Sequence, residues 1–478
     1  MRPSIAPPPP EETEALHEAS LEVLERTGVV FPDAAARAVL AAAGACVDEE
    51  RRVVRIPREL VDDAVAAAPR EVVLAGRDRV HDVRCDGSRT FLTLDGTGTH
   101  TLDHVTGVRR PSTIRDLADA ARVADAASEI RVVWNVVTAS DVQPTTRVLV
   151  ELAACLRNTG KHIQGEVQRA DEVPFIMEML AAASPGGRWD PARPVFSIVY
   201  CPVPPLQHEP RTSAAAIALA REGVPMCIYA VGLAGATAPV TMAGAVMQAN
   251  AEILSSLVLF QLVRPGVPCI YVADTGVLDM RTGMYSAASP ESILITHAMT
   301  ALGKRYELPV MATGLTGDAN AFGVMSGADA GMTALASMLM DPDLLCGAGM
   351  HDGAQMLSLP KILLDCELFR RCRRVLEGMV VSEERLMTGV VDAVGPGGHF
   401  LSARETRDHL RAGELHVPEL LLREPYETWS VSRRDEVARA SAAVDEILRS
   451  HVSAPLPDGA EARMEELIEA AAGELEGR

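Results

Sequence analysis

The sequence predicts an α/β protein whose central domain is a (β/α)8 TIM barrel. Short runs rich in β-branched residues alternate about eight times with longer segments of helical period that are rich in Ala and Leu. The runs are continuously apolar, as is typical of parallel strands that are covered by helices. Parallel strands also need long crossovers, which the intervening helical segments supply. Eight such units are the number that closes a (β/α)8 barrel.

The eight predicted strands are short, and several of them follow a proline. Proline suits the entry of a strand, where its missing N–H is not needed for pairing. The predicted strands are 90–95, 131–137, 161–167, 194–201, 225–231, 268–274, 309–314 and 343–350.

The helices between these strands complete the repeating unit. They are predicted at 113–127, 144–158, 171–183, 210–222, 241–263, 290–306, 323–340 and 360–378. The segment 241–263 is the most apolar, but it contains Asn250 and Glu252, which are costly in lipid, so a buried helix is predicted rather than a membrane span. A doubly wound open sheet is the alternative fold. It would need a glycine-rich phosphate turn, and no GxGxxG follows a predicted strand.

Two further regions flank the barrel. Residues 1–88 are predicted to form a proline-rich arm and a helical region, and 89–381 the catalytic barrel. Residues 382–478 are predicted to form a C-terminal helical appendage, with charged amphipathic helices at 433–451 and 459–476. We expect this appendage to cover the barrel or to contact another subunit.

Composition excludes several classes of function. Lys and Arg number 45 against 65 Asp and Glu, and the resulting net charge of −20 opposes binding to nucleic acid or to an anionic membrane surface. The nine cysteines are scattered and include no CxxC pair, which favours a reduced, cytoplasmic protein. No bound metal is predicted, because no three ligands show the spacing of a zinc site.

Candidate site residues lie at the predicted strand ends, because the active site of a (β/α)8 barrel forms at the C-terminal ends of its strands. Besides the eight residues named next, the predicted strand ends carry Asp95 with Thr97, and Thr313 with Asp318. We expect catalytic roles for Glu166, Asp274 and His351. We expect the substrate-binding residues to be Trp134, Asn135, Gln164, Tyr200 and Tyr229. Structural alternatives are a rim charge for Glu166, a turn cap for Asp274 and a helix cap for His351.

Several segments resemble the trimethylamine methyltransferase family of corrinoid-dependent methyltransferases. They are VTASDV (137–142), TGKHIQGE (159–166), DTGVLDMRTGMYSAASPE (274–291), LPVMATGLTGDAN (308–320) and the long segment 329–371, which contains LPKILLDCE. The resemblance implies a (β/α)8 barrel that transfers a methyl group from a methylated amine to cobalt. The cobalt would belong to a corrinoid (cobalamin) cofactor presented by a separate small corrinoid protein.

The substrate expected from the resemblance is a quaternary amine. Founding members of the family contain pyrrolysine, whereas this chain consists of ordinary residues and so resembles the branch associated with glycine betaine and related betaines. A quaternary nitrogen leaves as a neutral amine, so positioning and desolvation suffice. Aromatic faces and carboxylates would hold the ammonium group, and donors such as His351, Asn135 or Gln164 would hold a substrate carboxylate.

Two alternatives stay open at this point. The first is a corrinoid methyltransferase that demethylates a tertiary amine. The second is a non-catalytic barrel that binds a methylated amine or a corrinoid protein. Whichever function holds, we expect a homo-oligomer, because the segment 323–340 has apolar or small residues on nearly every helical face.

Overall fold

A closed barrel of eight parallel strands forms the centre of the molecule and confirms the predicted fold class. The computed structural model describes residue 3 and residues 5–475. Each strand pairs with the next along the chain, and the eighth closes the barrel on the first, with Leu344 opposite Phe91. The strands are β1 (Phe91–Leu94), β2 (Ile130–Trp134), β3 (His162–Gly165), β4 (Phe196–Tyr200), β5 (Met226–Tyr229), β6 (Cys269–Ala273), β7 (Val310–Thr313) and β8 (Leu344–Ala348).

A helix follows each strand, as predicted. The helices are α1 (Ile114–Ala126), α2 (Arg147–Asn158), α3 (Val173–Ala183), α4 (Pro210–Arg221), α5 (Met242–Val263), α6 (Pro290–Arg305), α7 (Val324–Met338) and α8 (Leu359–Glu377). Local sequence fixes their starts. The Thr113 side chain accepts from the backbone N–H of Asp116 in a capping box at α1, and Ser289 caps α6 ahead of Pro290.

Helix α5 is the one described helix that is long and apolar enough, by length and composition, to cross a membrane. In the most apolar window of this helix, 83% of the residues are buried inside the protein. Its polar residues are paired there: Asn250 accepts a hydrogen bond of 3.0 Å from the Tyr271 hydroxyl, and the Glu252 carboxylate accepts one of 2.9 Å from the Leu206 N–H. The prediction of a buried helix at 241–263 is therefore confirmed.

The N-terminal region contains helices and also a small sheet that the sequence did not predict. Its elements are Pro10–Glu22, a π-helical turn at Val23–Thr27, Ala34–Ala42, Arg58–Ala67, a three-stranded antiparallel sheet of Val29–Val30, Cys46–Asp48 and Val53–Arg55, and a hairpin of Val72–Leu74 and Val83–Cys85 with the 3-10 turn Arg79–His81. The first and third α-helices of this region pack on α5. Met1, Arg2 and Ser4 of the predicted arm lie outside the described residues.

Insertions between strands and helices cover the C-terminal mouth of the barrel. One sheet joins His100–Leu102 and Arg109–Pro111, inserted after β1, to Met350–His351 and Met356–Leu357, inserted after β8. A second sheet joins Leu233–Ala234, after β5, to the hairpin Gly276–Asp279 and Met284–Ser286, after β6. A 3-10 turn at Ala170–Glu172 precedes α3. Residues far apart in the chain thus meet above the strand ends.

The C-terminal region returns to the barrel with two long helices near the predicted positions. Glu436–Ser450 packs on α8 and α1, and Ala460–Leu475 packs on α3 and α2. Glu476, the last residue of the second predicted helix, lies outside the described residues. Four short helices precede them: Glu383–Leu386, Thr388–Val394, Arg404–Arg411 and Tyr426–Ser432.

Candidate functional site

A cavity of about 570 Å3 lies at the C-terminal mouth of the barrel. All eight strands contribute to it, through the residue at or just beyond the strand end or through the loop that follows. Its walls include Asp95, Trp134, Glu166, Cys201, Tyr229, Asp274, Thr313 and the loop 353–355, with Tyr285 and Thr316 from other insertions. This volume falls within the range of about 300–1,000 Å3 that holds a small organic ligand. Cys201 and Val203 are exposed to solvent, so the cavity is open at the mouth.

Three aromatic rings line this cavity. Trp134 and Tyr229 meet edge to face, with ring centroids 6.3 Å apart. Two glycines leave room for the rings of Trp134 and Tyr285. A Cβ at Gly96 would lie 2.3 Å from Trp134 Nε1, and one at Gly276 would lie 1.9 Å from Tyr285 Cε2. These two backbone segments therefore lie directly on the ring faces, and a side chain at either position would displace the ring.

Three carboxyl groups face the same cavity, each held by a hydroxyl donor. The Tyr229 hydroxyl donates to Asp274, which is 3% exposed. The Thr316 hydroxyl donates to Asp95 Oδ2 at 2.7 Å. The Thr97 hydroxyl donates to Glu166 Oε1 at 3.0 Å. The acids are therefore fixed in position and keep further acceptor capacity toward a ligand.

Burial controls the charge of these acids. It raises the pKa of Asp95 to about 6, although the hydrogen bonds from Thr316 and Gly96 act in the opposite direction. Burial also raises the pKa of Asp274 and of Glu166. A positively charged ligand favours the ionised form of these carboxyls, because the cation replaces part of the hydration that the carboxylate loses on burial.

Four of the eight predicted site residues meet at this cavity: Trp134, Glu166, Tyr229 and Asp274. Asn135 lies beside them and lines an adjoining polar cavity of about 410 Å3, which shares Thr97 and Glu166 with the first. The Asn135 side-chain oxygen accepts a contact of 3.2 Å from the Cys155 thiol. The strand-end rule thus predicted four side chains that meet at one cavity, and their role in function stays a prediction.

The structure does not bring Gln164, Tyr200 or His351 to the cavity. Gln164 is buried in the barrel below it, and its side-chain oxygen accepts from the Cys227 thiol at 3.2 Å. The Tyr200 hydroxyl lies 2.6 Å from His208 Nδ1, and its ring packs against Phe260 of α5, so this side chain points out of the barrel.

His351 lies in the sheet above the mouth and is 1% exposed. The edge of its ring meets the ring of Phe322, with centroids 4.8 Å apart. Burial, followed by the charge of Lys361, lowers the pKa of His351 to about 3. The imidazole is therefore neutral at physiological pH, and it does not line the cavity as the structure stands.

Asp95 and Tyr285 are site residues to which sequence reasoning gave no role. Asp95 is named among the strand-end residues, but the sequence assigns it neither a catalytic nor a binding role. Tyr285 comes from the hairpin after β6, which no strand-end rule reaches. The feature that could have pointed to Tyr285 is its position within DTGVLDMRTGMYSAASPE, one of the segments that carry the family resemblance.

The LPKILLDCE segment contributes support rather than chemistry. Lys361 and Asp365 form an ion pair of 2.8 Å, with both side chains no more than 3% exposed. Lys361 Nζ also donates to the Leu315 carbonyl at 3.0 Å, and Asp365 accepts from the Gly349 N–H at 2.8 Å. The pair therefore ties α8 to the loops that follow β7 and β8.

One group of side chains among the described residues has the spacing of metal ligands: Glu14, His17 and Glu18. Each already has a partner within the protein. Glu14 pairs with Arg305 at 2.8 Å, Glu18 pairs with Arg58 at 2.7 Å, and His17 Nδ1 lies 2.9 Å from the Tyr306 hydroxyl. These contacts account for the group without a metal ion.

The chain is similar to known methyltransferases over nearly its whole length. Residues 1–475 match the family described as Trimethylamine methyltransferase (MTTB). The trimethylamine methyltransferase MttB of Desulfitobacterium hafniense strain DCB-2 is 31% identical over 460 residues, which cover 96% of this chain and 92% of that protein. The corresponding protein of Methanosarcina thermophila is 32% identical and covers 93% of each chain. A glycine betaine methyltransferase of D. hafniense strain Y51 is 28% identical, covering 96% of this chain and 95% of that protein.

A solved structure shares the fold. The monomethylamine methyltransferase MtmB of Methanosarcina barkeri superimposes with a TM-score of 0.54, over 94% of this chain and 90% of that chain, at 12% identity. This likeness concerns the fold alone, whereas the sequence matches extend over nearly the whole chain. The protein is a methyltransferase, and it belongs to the trimethylamine methyltransferase family.

Proposed function

We propose that the enzyme takes a methyl group from a betaine-like quaternary amine and transfers it to the cobalt of a corrinoid protein. The observation that carries this proposal is the cavity that combines three aromatic rings with three carboxyls, of which Asp95 and Asp274 are buried and Glu166 is half-buried. Aromatic faces attract a methylated ammonium group, and the carboxylates balance its charge. A quaternary nitrogen has no N–H, so it is bound through shape and charge rather than through a directed hydrogen bond.

The residues of this chain position the substrate and keep water from it. Trp134 and Tyr229 form two adjoining walls, and Asp274 is fixed by the Tyr229 hydroxyl. A corrinoid presented at the mouth would supply a reduced cobalt nucleophile for the methyl carbon, and the electron pair of the broken carbon–nitrogen bond would stay on the amine nitrogen. Positive charge thus disappears from the amine during the reaction. Acids with raised pKa values suit this change, because a fully ionised site would stabilise the ammonium ground state more strongly than the transition state.

The shape of the mouth fits a corrinoid presented from outside. The cavity is of small-molecule size and open, and Val203 on its wall is exposed. Met280 and Met284 on the hairpin that carries Tyr285 are 68% and 56% exposed. Exposed methionines are frequent at surfaces that accept a partner. We assign this rim to the approach of the corrinoid protein.

A tertiary amine is the second candidate substrate, and the names of the relatives that act on trimethylamine favour it. A protonated tertiary amine carries one N–H, for which Asp95, Asp274 or Glu166 would be the acceptor. The two candidates therefore differ in whether a directed hydrogen bond to a carboxylate is needed.

The test is methyl transfer to chemically reduced cob(I)alamin, followed by the loss of its visible absorbance. Glycine betaine, proline betaine, carnitine, choline and trimethylamine are offered separately. Turnover with a betaine supports the proposal, and turnover with trimethylamine alone assigns the second candidate. If a betaine raises the melting temperature but no donor gives transfer, the barrel binds without catalysis, since only a ligand of the folded state raises apparent stability.

A further inference from the structure

Helix α5 carries a buried carboxyl group that the proposed function does not use. Glu252 is 0% exposed, and one of its oxygens, Oε1, accepts two hydrogen bonds. The other oxygen, Oε2, is buried and has no hydrogen-bond partner among the described residues. Burial raises the pKa of Glu252 to about 7, although the two hydrogen bonds act in the opposite direction. Such a group costs stability, and groups of this kind are concentrated at functional sites.

The first hydrogen bond holds the loop that follows β4. The Leu206 N–H donates to Glu252 Oε1 at 2.9 Å, and the backbone of Leu206 is left-handed, with a φ of 52°. A leucine rarely adopts this conformation, which persists only where neighbouring contacts determine it. Leu206 lies in a turn in which Val203 and Gln207 exchange backbone hydrogen bonds of 2.7 and 3.1 Å. Since Val203 lines the mouth cavity, Glu252 holds this part of the wall through the turn.

The second hydrogen bond reaches the loop that follows β5. Gln248, one turn before Glu252 on α5, donates through Nε2 to Glu252 Oε1 at 3.0 Å and to the Thr237 carbonyl at 2.9 Å. The Thr237 hydroxyl in turn accepts from the Leu233 N–H at 2.9 Å. Thr237 and Leu233 both line the cavity. One carboxyl oxygen therefore connects two loops that α4 and β5 separate along the chain.

These two loops form a substantial part of the cavity wall. They contribute six lining residues: Cys201, Val203, Pro204, Val231, Leu233 and Thr237. The second loop begins directly after Tyr229, the last residue of β5, whose hydroxyl donates to Asp274. A shift of either loop would therefore change the space beside the aromatic and acidic groups that we assign to the ammonium group.

The other buried amide on the same turn of α5 makes different contacts. Asn250 is also 0% exposed, and its Nδ2 donates to the Ser20 hydroxyl at 2.9 Å and to the Tyr306 hydroxyl at 2.8 Å. Its Oδ1 accepts from the Tyr271 hydroxyl at 3.0 Å. These contacts tie α5 to the first N-terminal helix, to the end of α6 and to β6, and not to the mouth loops. Asn250 is therefore a matched control for Glu252.

We propose that Glu252 is a positioning residue that holds the loops after β4 and β5 at the mouth and thereby sets the affinity of the cavity for the amine. The inference rests on the proposed function, because it takes this cavity as the amine site. Glu252 is not part of the cavity wall, so it acts through Leu206 and Gln248. An apolar residue in its place would leave the Leu206 N–H without its partner and release a turn that already contains a left-handed leucine.

The test is isothermal titration of the full-length protein with tetramethylammonium. Glu252→Ala is expected to raise the dissociation constant about tenfold or more, since a misplacement of about 1 Å can cost about a hundredfold. Glu252→Gln keeps an acceptor oxygen for the Leu206 N–H and is expected to restore most of the affinity. Asn250→Ala, which removes an equally buried polar side chain of the same helix, is expected to bind like the wild type. Equal affinities of Glu252→Ala and Asn250→Ala would overturn the proposal.

A second measurement observes the loops directly and separates this inference from the proposed function. Hydrogen exchange is expected to be faster in Glu252→Ala than in the wild type for peptides that cover 203–208 and 233–238, and unchanged there in Asn250→Ala. If Glu252→Ala does not fold, Gln248→Ala releases the Thr237 carbonyl alone and is expected to speed exchange in 233–238. A wild type that binds no amine would contradict the proposed function. Unchanged exchange in these loops would overturn the positioning role of Glu252, whether or not the amine binds.

Discussion

Asp95 holds its proton more tightly in the folded protein than in an unfolded chain, because burial raises its pKa from 3.8 to about 6. Between these two values the folded state retains a proton that the unfolded chain has released, so this carboxyl lowers stability as the pH rises through that window. A cation has the opposite preference and binds the ionised carboxylate.

We therefore expect the dissociation constant of tetramethylammonium to rise about tenfold for each pH unit below 6. Isothermal titration between about pH 5 and pH 8 measures this dependence. Asp95→Asn should weaken it. Asp343→Asn is the matched control, because Asp343 is also buried with a raised pKa but binds the Val310 N–H at the opposite end of the barrel. Affinity of the wild type that does not change with pH would contradict the assignment of Asp95.

Gly96 decides whether Trp134 can keep its place on the cavity wall. A methyl group at Gly96 would lie 2.3 Å from Trp134 Nε1, so Gly96→Ala has to displace the indole. We expect a loss of amine affinity on the order of tenfold or more, since overpacking costs about 1–3 kcal/mol. Gly473→Ala is the control, because a Cβ there meets no atom within 4 Å. Unchanged binding by Gly96→Ala, measured by the same titration, would show that the indole is not part of the site.

At the scale of elements, the Lys361–Asp365 pair is expected to hold α8 against the mouth loops. Lys361→Met removes the cation and leaves a buried, uncompensated carboxylate, which typically costs about 3–5 kcal/mol. Urea unfolding measures this loss. Replacing both partners, with Lys361→Met and Asp365→Leu together, should recover part of the stability, because no unpaired charge is left but the Leu315 carbonyl and the Gly349 N–H lose their partners.

The chain offers a matched comparison for this pair. Arg26 and Glu22 are also four residues apart on a helix, but their side chains are 76% and 60% exposed. Arg26→Met should change the free energy of unfolding by less than about 1 kcal/mol. Equal effects of Lys361→Met and Arg26→Met would mean that burial does not set the strength of the inner pair.

The barrel elements were predictable because most strands are short apolar runs and each helix between them is long. The sheet that contains Val29–Val30 was not, since two or three residues show no alternation. The site was predictable where strand ends converge, as at Trp134 and Asp274. Tyr200 was misplaced because both faces of a barrel strand are apolar, so the sequence does not reveal which side chains point inward. The place of Tyr285 at the cavity could not be predicted, because it lies on a hairpin rather than at the end of a barrel strand.

At the scale of the whole molecule, surface and core are divided unevenly along the chain. The barrel and the last two helices share one core, whereas residues 378–435, which we call the arm, contribute exposed apolar side chains and no buried residue. A chain of net charge −20 also repels its own copies, so association between them needs an apolar interface of some extent. Exposed apolar side chains that are available for such an interface lie on the arm and on the α6–α7 face, which we define by Leu294, Val324, Met325 and Met332.

This arrangement links thermal stability to protein concentration. If the arm and the α6–α7 face are buried between two copies, unfolding requires dissociation, and a hundredfold rise in concentration stabilises the dimer by about 2.7 kcal/mol. Calorimetry across that range should therefore show a rising melting temperature for the wild type and for the control Val452→Glu, which changes a residue as exposed as Val431 of the arm but placed between the last two helices. Val431→Glu should melt at a lower temperature that does not depend on concentration, because its arm is no longer covered. A wild-type melting temperature independent of concentration would mean that the arm remains uncovered in the folded protein.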